Sequence, residues 1–186
     1  MKSFEEIKKE IINIIKNSPI PEDPYHAENT LYWLLKIYPQ ADIALKISAV
    51  GHDIERAFSN RVKRENFNNY DEFKKAHAEH SAKILKKILL KFYLADSIIN
   101  KVYNIVKNHE HGGDFYSDIL KDADSLSFFD VNIEFYYKRE GFEKTLERAK
   151  WGYKRLSKRA KKFFIKIEHK NHDINEILNL LKKGEL

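Results

Sequence analysis

Apolar residues recur at intervals of three and four along almost the whole of this chain, and no run of strict alternation interrupts them. A helix buries residues with a period of 3.6 and a strand with a period of two, so the pattern predicts an all-α fold. Only 6 Gly and 4 Pro in 186 residues leave few places to break the helices. Helices are expected over about Phe4 to Lys16, from an Asp23 cap with Pro24 at the first helical position through to Pro39, Ala41 to Phe58, Asp71 to Phe92 and Ala95 to Glu110. Others follow around Ser117 to Lys138, Phe142 to Arg155, Lys158 to His169 and Ile174 to Lys182. Asp before Pro suits a helix start, because the carboxylate accepts from free N–H groups and Pro has no N–H to leave unpaired. Gly112 and Gly113 suit the left-handed end of the fifth helix. The stretch SNRVKRENFNN reads as a loop. With no repeat or low-complexity segment, one domain over residues 1–186, a bundle of eight or nine helices, is the expectation.

Composition then excludes several kinds of chemistry. There is no cysteine, so disulfides, thiolate zinc sites and a Cys nucleophile are ruled out. Any metal must be held by His, Asp, Glu or water, a ligand set that suits Mn, Fe, Co, Ni, Zn or Mg. No P-loop or GxGxxG occurs. The longest apolar stretches, such as IINII and KILLKFYLA, fall short of the roughly 18 residues that span a bilayer. The N-terminal MKSFEEIKKEIINIIK mixes acids with its lysines, unlike a signal peptide, so a cytoplasmic protein with no membrane partner is expected.

The net charge of +6, from 34 basic and 28 acidic residues, is concentrated in KRLSKRAKKFFIK. Lys154, Arg155, Lys158, Arg159, Lys161 and Lys162 could follow the phosphates of a nucleic acid. The plainer reading is a solvated helix face whose apolar partners, Leu156, Phe163, Phe164 and Ile167, pack inward.

The chemistry points elsewhere. His52 and Asp53 lie in the apolar run ISAVGHDIERAF, and burying two adjacent ionisable groups costs several kcal/mol unless they are paired or bind a metal. His26 opens the second helix, His77 and His80 lie within the fourth, and His109 and His111 close the fifth. Asp122 and Asp124 follow in ILKDADSLSFF, beside an apolar face of Leu120, Ala123, Leu126 and Phe129. Any one such His is an ordinary core or surface residue. Several of them on separate helices fit a metal site assembled inside a bundle.

The ordered set H, HD and D, as HAENT at His26, GHDIERA at His52-Asp53 and KDADSLSFF at Asp124, resembles the HD-domain superfamily of metal-dependent phosphohydrolases over about residues 20–140. Residues 141–186 then form a basic helical extension. Taken whole, the chain looks most like a functionally uncharacterised branch of that superfamily. The resemblance implies an HD-type bundle in which His26, His52, Asp53 and Asp124 hold a divalent metal, with Asp122 a neighbour of the last ligand. It further implies that His77 and His109 either hold a second metal or contact the phosphate. Asp53 would also orient the attacking water. Glu55 would transfer protons, although it stands one residue out of register with the family's Glu. Arg56, fourth after His52, would bind substrate phosphate by its fork, unless it merely pairs with Glu55 or another acid. Arg61, Lys63 and Arg64 would line the same mouth. The cyclic-dinucleotide-cleaving branch fits poorly, because Glu110 replaces its second His and its GYP element is missing.

The expected activity is hydrolysis of a small phosphate ester, with a nucleotide the favoured class. The alternatives are a non-catalytic module that senses a nucleotide or metal, and a nucleic-acid-binding protein led by the basic C-terminal helices. Homo-oligomerisation is left open.

Overall fold

Ser3 starts the first helix, α1 (Phe4–Ile15), with a reciprocal cap: its hydroxyl accepts from the Glu6 N–H while the Glu6 carboxylate accepts from the Ser3 N–H. In this computed structural model, which describes residues 3–184, eight further α-helices follow. They are α2 (Asp23–Ile37), α3 (Ile43–Gly51), α4 (Tyr70–Leu90), α5 (Asp96–Asn108), α6 (Phe115–Ser127), α7 (Ile133–Arg155), α8 (Lys158–Phe164) and α9 (His172–Lys183). Two 3₁₀ turns lie at Ile54–Ala57 and Arg64–Asn66, a π turn covers Phe128–Asn132, and the described residues contain no strand.

Most starts follow from local chemistry. Asp42, Asn69, Asp114, Ser157 and Asn171 each cap a helix by accepting a backbone N–H. The expected cap at Asp23 is corrected: Glu22 holds the cap position without a side-chain hydrogen bond, and Asp23 is the first helical residue with Pro24 behind it. The Asp23 carboxylate is engaged instead by the Ser18 hydroxyl at 2.6 Å and Arg56 at 3.0 Å. The expected gap between Lys138 and Phe142 corresponds to a break inside α7, where Gly141 takes φ 77°.

The largest departure is in α3. Its helix ends at Gly51 rather than running on to Phe58. His52 is the last residue with helical angles, and Asp53 turns to φ −104°, ψ 13° before the 3₁₀ turn begins. That turn brings Arg56 to 2.7 Å from the Asp53 carboxylate, an ion pair made at the point where the α-helix stops.

One apolar core joins the helices, with Ile7, Leu34, Leu45, Leu85, Leu120, Phe129, Phe164 and Leu178 all fully buried. Leu156, Phe164 and Ile167 pack inward as their spacing implied. No described helix is long and apolar enough to cross a membrane.

Gly51 is where α3 meets α4. A Cβ there would lie 2.8 Å and 2.9 Å from the two methyl carbons of Leu85, itself fully buried. Gly51→Val is therefore expected to cost about 1–3 kcal/mol by overpacking. Urea denaturation followed by circular dichroism measures this, and an unchanged midpoint would contradict the packing.

Candidate metal centre

Helices α2 and α6 pack side by side, and their contact sets the first half of the centre. The Ser127 hydroxyl donates to the His26 carbonyl at 3.2 Å, which leaves its oxygen to accept from His26 Nδ1 at 2.8 Å. Beyond it, the π turn brings Asp130 to α2, where Asn29 Nδ2 and Trp33 Nε1 donate to it at 2.8 Å and 3.0 Å. His26 thereby faces Asp124, with Nε2 3.2 Å from Oδ1.

The other rings are oriented by backbone. Carbonyl oxygens only accept, so His52 Nδ1 donates to Ala49 O at 3.0 Å and His109 Nδ1 donates to Val106 O at 2.7 Å. Each of these three imidazoles thus engages its Nδ1 outward and turns its Nε2 inward, the arrangement that orients a metal-ligating His. Nε2 of His52 and of His109 are buried without a hydrogen-bond partner, and unmet polar atoms in a core are costly.

Asp53 stands between them. Its Oδ2 lies 3.6 Å from His52 Nε2 and 3.8 Å from His26 Nε2; its Oδ1 lies 2.8 Å from His77 Nε2 and 4.0 Å from His109 Nε2. His52 Nε2 is also 3.6 Å from Asp124 Oδ1. All four expected metal ligands, His26, His52, Asp53 and Asp124, are thus buried and brought together. Ligand atoms of His26, His52 and Asp124, of His52, Asp53 and His109, and of His77, His109 and Glu110 lie within 4.8 Å of one another. Bonds of about 2.0–2.2 Å would draw such atoms around one ion, so these buried groups could hold a metal. A fourth grouping, His172, Asp173 and Glu176, is a surface cluster on α9.

Electrostatics give the same picture. Burial opposes charge on Asp53, but Arg56, His52 and His77 outweigh it and hold the carboxyl well below its usual range. Asp124 is held down likewise, by the nearby His26 and His52 rings and by the charge of Arg155. Burial disfavours the His52 imidazolium, yet Asp53 and Asp124 push its pKa up to about 9. His77 is raised against burial by its hydrogen bonds to Asp53 and Glu55. His109 is lowered, chiefly by burial.

The remaining expected residues fall around this core. Glu55 is buried, with one oxygen 2.7 Å from His77 Nδ1 and the other accepting from Val62 N at 2.7 Å. Arg56 pairs with Asp53 and Asp23 rather than with Glu55. Together with Arg61, Lys63, Arg64, Phe73 and His77 it lines a cavity of about 340 Å³. Phe73 stacks on the His77 ring. Asp122 accepts from Ser157 and so ties α6 to the start of α8. His80 faces Glu55 at 3.4 Å, and His111 is exposed.

Three participants were not foreseen. Glu110, beside His109 at 3.3 Å, is clamped by Lys74 and by Arg155 at 3.0 Å. Arg155 also reaches Asp124 at 3.4 Å, and its guanidinium lies over Trp151. The solvated-face reading of the basic stretch therefore holds for Lys154, Lys158, Arg159 and Lys162, which are exposed, and fails for Arg155. Glu110 had a signal of a kind, as the acid next to His109. Lys74 and Arg155 had none.

A pH dependence follows. His52 gains a proton-binding advantage on folding, from 6.5 to about 9, so its contribution to stability is full below pH 6.5 and is lost as pH rises through about 9. The lowered carboxylates act in the opposite direction, their contribution being lost only in acid. Chelator-treated protein should therefore melt at a lower temperature at pH 9 than at pH 6.5. A divalent cation that replaces the His52 proton should abolish that loss. Equal alkaline destabilisation with and without the cation in thermal melts would contradict this.

A family described as a domain of unknown function (DUF4202) matches residues 5–177. No curated protein and no solved structure matches the chain. The matched span holds every residue of the centre, from His26 to Arg155, and the chain belongs to the DUF4202 family.

Proposed function

We propose that the protein is a divalent-metal-dependent phosphohydrolase of the HD type, acting on a small phosphate ester, with a nucleotide as the favoured class. The observation that carries this reading is the shared carboxylate of Asp53. Its Oδ2 side meets His26 and His52, the two imidazoles that Asp124 also faces, and its Oδ1 side meets His77 and His109, so that one ion or two can be held. A divalent ion bound there supplies Lewis acidity toward a phosphoryl oxygen and lowers the pKa of a water from about 15.7 toward 7.

The chain's own side chains do the rest. Arg56 borders both Asp53 and the cavity, where its fork holds phosphoryl oxygens in pairs. Arg61, Lys63 and Arg64 at the mouth raise the local concentration of an anionic substrate. Asp53 orients the attacking water. Glu55 acts as a positioning residue: it fixes the His77 ring and, through Val62 N, the loop that carries Arg61. A cavity of about 340 Å³ suits a small molecule rather than a polymer.

Asp53→Ala is expected to remove most bound metal and to lower phosphate-ester hydrolysis by more than about 100-fold, the upper end of the loss seen when only a ligand's supporting residue is changed. Helical content should persist. Elemental analysis and a screen of nucleoside mono-, di- and cyclic phosphates are the measurements. Unchanged metal content would contradict the site, and bound metal without turnover across the screen would favour a sensing module.

A further inference from the structure

Farther along α4 lies a second hollow, of about 500 Å³, walled by Lys83, Lys87 and Lys91 with Phe58, Ile84 and Ile88 as its apolar part. The three lysines are four residues apart: Lys83 and Lys87 stand one above another on a face of α4, and Lys91 follows in line as the residue that caps its C-terminal end. Like charges at that spacing destabilise a helix by about 0.2–0.5 kcal/mol per pair. Lys83 is relieved by Glu79 at 3.0 Å. No acidic residue lines the hollow, and among the described residues neither Lys87 nor Lys91 forms an ion pair.

The shape of this charge narrows the ligand. From Lys83 to Lys91 the ladder rises about 12 Å at 1.5 Å per residue, longer than a single carboxylate or phosphate can bridge and suited to a chain of phosphates. The apolar part beside it offers a surface for a flat ring. His80 forms the inner wall; its Nδ1 is buried without a hydrogen-bond partner and lies 3.4 Å from Glu55, whose other oxygen holds His77.

We infer that this hollow is a second small-molecule site, for a nucleoside polyphosphate whose phosphates lie along Lys83, Lys87 and Lys91 and whose base covers Phe58 and Ile84. The site is distinct from the metal centre, and its existence does not depend on the hydrolase reading. Its wall approaches the centre at His80, 3.4 Å from Glu55.

Trinitrophenyl-ATP fluorescence tests the site in R61E/R64E protein with chelator present, a background in which the basic mouth of the metal centre is disabled, so that failure of the hydrolase reading has no bearing on the result. Saturable binding is expected, weakened at least tenfold in a K87E/K91E variant. A charge-matched control, K158E/K162E, alters two exposed lysines elsewhere and should bind as the parent does. All four lysines are exposed, and circular dichroism checks that each variant stays folded. Absence of saturable binding, binding unaffected by K87E/K91E, or equal weakening by the control would overturn the proposal.

Discussion

The molecule is organised around a charge imbalance that its core cannot leave unmet. Five carboxylates, Asp23, Asp53, Glu55, Glu110 and Asp124, face three permanent cations, Arg56, Lys74 and Arg155, in an almost dry interior. Two positive charges are wanting. Protons on His52 and His77 can supply them, which is why both imidazoles are raised against the opposing effect of burial. One divalent ion would supply the same charge and would also engage the unmet Nε2 of His52. Proton and metal are thus competitors for one place, and metal affinity becomes pH-dependent for that physical reason.

The helices serve this centre through their ends more than through their middles. Ending α3 at Gly51 frees Asp53 to turn away from the helix axis, and Gly51 itself lets the end of α3 lie against Leu85 of α4. His109 caps α5 in the same manner, each ring held by the carbonyl three residues before it. The π turn after α6 carries Asp130 back to α2, next to the turn that holds His26. Short π segments recur at functional sites because they re-aim side chains without ending the helix. Here the segment joins α6 to α7, whose far end returns Arg155 to Asp124.

How far the sequence disclosed this depends on the range over which each feature is determined. The all-helical fold was readable because period and caps are local, and the helix starts needed little correction. His52 and Asp53 stood out as adjacent ionisable residues in an apolar run, an anomaly visible without knowing its neighbours, whereas His26 and Asp124 were marked only by the resemblance to the ordered HD pattern. Arg155 carried no such mark. It sits in a run of lysines and arginines, and only the packing of α7 distinguishes it from Lys154. Lys74 lies in FKKAH next to an exposed Lys75 and is equally silent, although it is buried against Glu110. The premature end of α3 was hidden for a related reason: IERAF continues the helical period, and the contacts that Asp53 makes with Arg56 and His77 once it has turned out of the helix are not visible in the local pattern.

The central claim about the molecule is that its buried histidines and carboxylates are metal ligands. Anomalous scattering from a crystal of the protein grown with Mn or Zn, recorded on both sides of that metal's absorption edge, tests this most directly. A peak within about 2.0–2.2 Å of His26 Nε2, His52 Nε2 and the Asp53 and Asp124 carboxylates is the expected result. A density-free centre, with metal found only on surface groups such as His172 and Asp173, would contradict it.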